Sequence, residues 1–454
     1  MLLKEDFIQS LQGCEGFLPV EMMSAHQEAT PVSVRLNPLK VRGPENVFPA
    51  ENTGEMVAWC ANAFYLNSRP SFTKDPLFHA GAFYVQEASS MFIHHLVSTV
   101  LKDKTGLMAL DLCAAPGGKT TLLSSLPHFR LVLANEIIQT RVPVLQENTI
   151  KWGAGHVFVS NNDPIDFEKM GALFDLVLVD APCSGSGLFR KDAAAMDEWN
   201  PGLVSFCSAR QKRILASAMH SVLEGGYLLY STCSYSKEEN EENLDQIMDA
   251  GLFESISVDV PLEWNVVESI STIKKAKGYR FYPNKLRGEG FFCAIFQKTG
   301  TRYSGSQHVA GKLDLVKPPS VLEDWIIPSP QLRFFKKENE LFAVDEINLP
   351  ALHQFKASLR IRKSGLRLGT EIRAELIPDH ELAMSSLLSE NVQVLDLAFE
   401  EAIAYLRKDT IDHEGSGKGW SLARFKGFGL GWVKLVQGRV KNHYPMSWRI
   451  LKRD

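Results

Sequence analysis

The run Asp111-Leu112-Cys113-Ala114-Ala115-Pro116-Gly117-Gly118-Lys119-Thr120 constrains the fold of this chain more than any other stretch. The apolar segment Leu107–Leu112 predicts a strand before it, and Lys119–Leu126 predicts a helix after it. Strand, glycine-rich turn and helix is how α/β sheets hold a nucleotide-like ligand at the carboxyl end of a strand. Further strands are predicted at Leu131–Asn135, His156–Ser160, Leu173–Asp180 and Tyr227–Ser231, and helices at Thr140–Trp152, Pro201–Leu223 and Lys237–Ala250. Short, wholly apolar strands linked by helix-period segments predict a doubly wound parallel sheet.

This unit does not account for the whole chain. At 454 residues two to four domains are expected. Residues 1–79 predict a small α+β region, with helical spacing at Glu5–Leu11, an alternating strand at Val32–Leu36 and a second strand within Trp59–Leu66. Gly81–Ser90 leads into a helix through Met91, Phe92, Leu96 and Val97, which opens the α/β unit of residues 80–298. After Gly251 the pattern turns strand-rich, at Phe253–Val258, Trp264–Glu268, Tyr279–Tyr282 and Phe291–Gln297, as an antiparallel sheet edge would. Polar, Gly-rich Thr299–Ser306 predicts a linker. Residues 299–385 hold that linker and a mixed domain; residues 386–454 begin with a helix, Leu395–Arg407, and end in glycine-broken strands.

Net charge is −4 and the pI about 6.3, so any affinity for nucleic acid must be local. Between Arg407 and Asp454 stand eleven Lys/Arg against four Asp/Glu, interleaved with Trp420, Phe425, Phe428, Trp432, Tyr444 and Trp448. Such a tail neutralises phosphates and stacks on exposed bases. The competing reading makes Trp432 and Phe428 a small β-barrel core and leaves Arg439, Lys441 and Arg449 on the surface. Lys356, Arg360, Arg362, Lys363, Arg367 and Arg373 form a second candidate RNA contact, against a solvated helix face. Seven cysteines without a C-x-x-C argue for reduced thiols rather than a disulfide scaffold or a zinc site. No signal peptide or membrane span of about 18 apolar residues is read, so the expectation is a cytoplasmic protein, acting as a monomer, with no membrane partner.

The turn imitates a P-loop at Gly117-Gly118-Lys119-Thr120, yet the first P-loop glycine falls on Cys113, and Pro116 removes a backbone donor. A P-loop NTPase is therefore disfavoured. S-adenosylmethionine, which has a ribose, an adenine and no phosphate, suits the turn better. Glu136 stands nineteen residues past Gly117, close to the ~20-residue spacing of a ribose ligand. Asp163 follows the third strand, placed for the adenine amino group. Alone, either carboxylate reads equally as an ordinary loop residue.

Cys14, Cys60, Cys207 and Cys293 read as small buried hydrophobes, and Cys113 as packing under the turn. Cys183 and Cys233 differ: each follows a strand expected to end near the turn, so both thiols are expected to face one cleft. Carbon 5 of cytosine is a poor nucleophile until a thiolate adds at carbon 6, and a base must then remove the carbon-5 proton. Asp180 is the candidate to act at ring N3. Lys119 is expected to hold Asp180 or to steady a thiolate.

These residues bring out a family. Asp111–Thr120, Asp180-Ala181-Pro182-Cys183-Ser184-Gly185-Ser186-Gly187, and Tyr230–Ser234 followed by Glu238-Glu239-Asn240-Glu241 resemble the motifs of the NOL1/NOP2/Sun RNA (cytosine-C5)-methyltransferases. Gly81–Ser90, Arg280–Pro283 and Gly288–Phe292 match as well. The ending Gly431–Lys434, Gly438–Asn442 and Tyr444-Pro445 is similar to that of the bacterial methyltransferase F type, which modifies small-subunit ribosomal RNA. The resemblance implies a Rossmann-like methyltransferase sheet, a PUA-like RNA-binding tail, an RNA-binding N-terminal region, and 16S ribosomal RNA or the 30S subunit as partner. It implies Cys233 as nucleophile and Cys183 as the residue of product release. Cofactor contacts carry over to Cys113, Ala114, Ala115, Pro116, Gly117, Gly118, Lys119, Glu136, Asp163 and Asp180. One departure is Asn135-Glu136, where many members carry an Asp in this strand end; Glu136 is taken as the ribose ligand. Transfer RNA as substrate, or a non-catalytic assembly factor on a degenerate fold, are the alternatives.

Overall fold

The computed structural model describes residues 3–300, 313–411 and 417–451. Strands β1 (Val32–Leu36), β2 (Thr53–Met56), β3 (Ala63–Leu66) and β4 (Phe83–Val85) form an antiparallel sheet in the order β2-β3-β1-β4. Behind it lies a ten-stranded sheet. Its centre is β5 (Leu107–Asp111), β6 (Phe129–Asn135), β7 (Val157–Ser160), β8 (Phe174–Asp180) and β9 (Val222–Thr232), all parallel, in the order β7-β6-β5-β8-β9. Ala109, Leu133, Phe158, Val177 and Leu178 are fully buried. Both faces of these strands are covered, so they read as continuous apolar runs. The chain winds from β5 out to β7, then crosses back to β8. That reversal opens a crevice at the carboxyl ends of β5, β6 and β8. Strands β10 (Phe253–Ser255), β11 (Val267–Ile270), β12 (Lys277–Phe281) and β13 (Phe291–Lys298) complete an antiparallel edge, with β13 against β9.

Gly81–Ser90 leads as expected into a helix, Phe92–Leu101, and itself contains β4, which pairs with β1. Three local expectations differ from the structure. The expected helix Lys237–Ala250 splits into a 3₁₀ turn, Lys237–Glu239, and a helix, Glu241–Asp249. Asn240 breaks it because its side chain is engaged elsewhere, accepting from Thr232 Oγ1 at 2.6 Å and donating to Ser234 O at 2.7 Å. The strand expected from Trp264 begins at Val267; Leu262–Trp264 is a 3₁₀ turn that sets Trp264 edge-on to Trp59. The helix expected from Leu395 begins at Phe399, where the Glu401 carboxylate accepts from Ala398 N, and Val394–Asp396 is instead a strand parallel to Gly419–Phe425.

Residues 301–306 of the expected linker lie outside the described residues. The region that follows is a five-stranded antiparallel sheet between Asp314 and Pro378 with a helix, Leu349–Ser358. It does not stand apart: Phe355 of that helix stacks on Phe174, and Ile361–Lys363 pairs with β7 at the edge of the central sheet. Lys363 is buried against Glu381, and Arg367 pairs with Glu340 and Asp379, so part of that basic stretch is neutralised internally. In the tail Trp432 is buried, Phe428 is half-buried, and Arg439, Lys441 and Arg449 are exposed. No helix among the described residues is long and apolar enough to cross a membrane.

Candidate active site

The turn after β5 owes its shape to Gly117, which caps the helix Gly118–Ser124 at φ +112°. A side chain there would be strained in this region. Neighbours hold the turn open: Asn135 O accepts from Ala114 N at 2.8 Å, Arg141 donates to Ala115 O at 2.6 Å, and Asn148 donates to Pro116 O at 2.8 Å. Thr120 Oγ1 donates to Asp111 Oδ2 at 2.6 Å, while the buried Oδ1 has no hydrogen-bond partner among the described residues. Burial pushes the Asp111 carboxyl up to about 7. At the end of β6, Glu136 Oε1 accepts from Ile138 N at 2.8 Å and Oε2 lies 3.5 Å from Arg141. Beyond β7, Asp163 Oδ1 accepts from Ile165 N at 3.1 Å.

Two lobes meet at Asp180 and Cys233. The larger, about 630 Å³, is lined by Ala115, Glu136, Ile137, Asp163, Ile165 and Cys183 among others. The smaller, about 430 Å³, is lined by Tyr84, Gln86, Ala114, Pro116, Gly118, Lys119 and Phe291, and Cys113 lines both. Half-exposed Ile137 and Ile165 give the larger lobe apolar walls, and two carboxylates give it acceptors. Those acceptors fit the ribose and adenine of S-adenosylmethionine, with Glu136 to accept from ribose hydroxyls and Asp163 from an amino group. A polyphosphate would meet these carboxylates and, at Pro116, a residue without an N–H.

The thiols of Cys183 and Cys233 are 3.0 Å apart, although fifty residues separate them in the chain. Cys183 follows β8 and Cys233 follows β9, and these strands are hydrogen-bonded neighbours through Asp180↔Ser231. Gly187 lets the two turns close: its N–H donates to Cys233 O at 2.7 Å, and a Cβ there would stand 2.4 Å from Gly290 O. Asp180 is fixed from two sides, by Lys119 Nζ at 2.7 Å and by Ser231 Oγ at 2.8 Å. Burial alone would lower the Lys119 pKa, but the Asp180 carboxylate outweighs it and the net shift is upward. The hydrogen bond to Cys233, with burial, holds the Cys183 thiol well above its ordinary value.

Every residue expected at the site lines one of the two lobes except Gly117, whose contribution is conformational. Cys113 packs against the core beneath the turn and also lines both lobes, and burial raises its pKa. All seven cysteines are free, and Cys14, Cys60, Cys207 and Cys293 are buried away from the lobes. Sequence reasoning missed Ser231, Arg141, Tyr84 and Phe291 as part of the site. Glu239 stands in the motif Glu238–Glu241, where nothing in the sequence sets it apart from its neighbours.

Three family models match the chain: the N-terminal domain of 16S rRNA methyltransferase RsmF at residues 3–88, 16S rRNA methyltransferase RsmB/F at 98–297, and the methyltransferase RsmF PUA domain at 392–450. Ribosomal RNA small subunit methyltransferase F of Vibrio parahaemolyticus is 31% identical over 96% of this chain and 94% of its own. The protein of the same name from Aliivibrio fischeri strain MJ11 is 30% identical over 96% and 94%. A methyltransferase homologue from Pyrococcus horikoshii superposes with a TM-score of 0.54 at 27% identity, covering 64% of this chain and 93% of its own. NSun6 from the same organism, solved with SFG, gives 0.53 at 19% identity, covering 66% and 99%, a likeness of fold. With the crevice, the thiol pair and these matches together, the chain belongs to the RsmB/F family of 16S rRNA methyltransferases, on its F branch.

Proposed function

We propose that this protein transfers the methyl group of S-adenosylmethionine to carbon 5 of cytosine in small-subunit ribosomal RNA, acting as a monomer in the cytoplasm. The observation that carries the reading is the pair of thiols 3.0 Å apart beside the Lys119–Asp180 ion pair. A methyltransferase aimed at a nucleophilic nitrogen or oxygen needs neither thiol; one aimed at carbon 5 needs a nucleophile at carbon 6 and a base.

In this reading Cys233 adds as thiolate to carbon 6, N3 takes up a proton from solvent, and the Asp180 carboxylate, held by Lys119, accepts a hydrogen bond from the new N3–H. The ring becomes an enamine with electron density on carbon 5. The bound cofactor supplies an electrophilic methyl group. Bonding of Cys233 to carbon 6 removes the hydrogen bond that held the Cys183 proton, so Cys183 ionises to solvent. As thiolate it takes the carbon-5 proton; those electrons restore the carbon 5–carbon 6 double bond and expel Cys233 as thiolate, and N3 returns its proton to solvent. The turn Cys113–Lys119 with Glu136, Asp163 and Asp180 holds the cofactor, and the buried ring of Phe291 lies 5.5 Å from Lys119 Nζ and supports it by a cation–π contact. RNA is held by exposed Arg439, Lys441 and Arg449 of the tail. Bisulfite sequencing of ribosomal and transfer RNA, with and without the gene, tests the reading: loss of a 5-methylcytosine in 16S RNA supports it, and an unchanged 16S pattern sinks it.

A further inference from the structure

We propose that Glu239 holds the two thiols in register as a positioning residue, an inference that rests on the covalent reading above. Its carboxylate is fully buried and lines neither lobe, so it touches no reacting atom. Oε1 accepts from Ser184 N at 2.8 Å and from Gln211 Nε2 at 3.1 Å. Oε2 accepts from both Ser184 Oγ and Ser234 Oγ. Ser184 is the residue after Cys183, and Ser234 is the residue after Cys233. One carboxylate therefore ties together the neighbours of both thiols, across turns that are fifty residues apart.

The other contacts in this region do less. Asn240 fixes only the Cys233 turn, through Thr232 and Ser234. Gly187 N–H to Cys233 O and Tyr235 N–H to Ser186 Oγ also join the two turns, but each through a single bond, whereas Glu239 engages both residues that follow the thiols. Glu239 is itself immobilised, since its carbonyl accepts from Tyr230 Oη and Asn243 Nδ2. No Lys or Arg among the described residues forms an ion pair with it, so its four donors are all neutral. Burying a carboxylate without a counter-charge is costly. Four converging donors are what make it tolerable, and they fix its position sharply. Burial also raises its pKa.

The test compares full-length wild type, Glu239→Ala and Glu239→Gln by three readouts. These are S-adenosylmethionine affinity by calorimetry, kcat and KM for methylation of 16S RNA, and the rate at which diamide closes Cys183–Cys233 into a disulfide. Closure converts two thiols and the diazene into one disulfide and the hydrazine, and is followed by loss of both thiols to alkylation. Glu239→Ala is expected to lower kcat at least ~100-fold, as a misplacement of about 1 Å does. KM and cofactor affinity should stay within about threefold, and closure should slow about tenfold. Gln keeps the oxygen that accepts from Ser184 N, and the serine hydroxyls rotate to accept from its amide, so it should rescue kcat to within about tenfold. Should the alanine variant fail to fold, Ser184→Ala removes one tie and should slow closure in the same direction. Disulfide closure at the wild-type rate in Glu239→Ala or Ser184→Ala overturns the proposal. Because closure needs no RNA, slowed closure upholds the positioning role even if Cys233→Ala proves active and the covalent reading falls.

Discussion

Gly187→Ala should separate the two thiols without altering any functional group. The new Cβ would lie 2.4 Å from Gly290 O and 2.7 Å from Cys233 O, both backbone atoms that cannot swing aside. Relief needs the turns to part by roughly 1 Å, against ordinary Cβ contacts of ~3.5–4.0 Å. Overpacking of this kind costs ~1–3 kcal/mol. The same movement stretches the 2.7 Å Gly187 N–H to Cys233 O hydrogen bond. Its loss adds ~0.5–1.5 kcal/mol. The sum of about 1.5–4.5 kcal/mol corresponds to a fall in Tm of roughly 3–18 °C for a unit of this size. Moving the Cys233 thiol by about 1 Å should lower the methylation rate by ~100-fold. Cofactor binding should hold, because Gly187 lines neither lobe. The assay pairs calorimetric unfolding with single-turnover methylation. A variant with Tm within about a degree of wild type and undiminished turnover would show that the close approach carries no weight.

Other outcomes follow from the same geometry. Lys119→Met removes one of the two groups fixing Asp180 and should reduce single-turnover methylation at least ~100-fold; a loss below about threefold would remove Lys119 from the mechanism. Asp111→Asn should raise stability at alkaline pH. The folded carboxyl, held up to about 7 by burial, binds its proton more tightly than the unfolded 3.8. Its contribution is therefore full below the unfolded value and is lost as pH rises through 7, by up to about 4 kcal/mol. The difference in Tm between variant and wild type should grow from pH 5 to pH 8.5, and a difference flat with pH would contradict the assignment. Replacing Arg439 and Lys441 by Ala should weaken RNA binding and flatten its salt dependence by about 1–2 units of slope, with cofactor affinity unchanged. An unaltered salt slope would take these two cations out of the RNA contact.

Much of the central sheet could be read from the sequence because its signal is local. β5, β6, β7 and β8 lie within two residues of the expected positions, since strands buried on both faces are unbroken apolar runs. Their last residues, Asp111, Glu136 just past Asn135, and Asp180, are set by strand length alone. What was hidden comes from packing between segments far apart. Ile361–Lys363 joins β7 through contacts made between distant segments, Phe355 stacking on Phe174 and Lys363 Nζ donating to Val157 O, which no period records. The N-terminal sheet and the tail share one core, in which Leu36 and Phe83 pack with Tyr405 and Tyr444. Removing the tail would expose that core, so point substitutions test RNA contact more cleanly than truncation. Asn240 falls inside a segment that reads as one helix, yet its side-chain bonds to the Cys233 turn break it there. Glu239 is one of three glutamates in Glu238-Glu239-Asn240-Glu241, and only the fold shows which of them faces the thiol turns. Glu241 instead pairs with Arg280.

The covalent step is tested most directly by trapping it. Cys183→Ala, incubated with 16S RNA and S-adenosylmethionine, should accumulate a protein–RNA adduct that survives denaturing electrophoresis, because the group that removes the carbon-5 proton is gone. Adding Cys233→Ala to the same chain should abolish the adduct and all methylation. An adduct that persists in the double variant, or a Cys233→Ala protein that methylates at the wild-type rate, would contradict the assignment of Cys233 as the nucleophile.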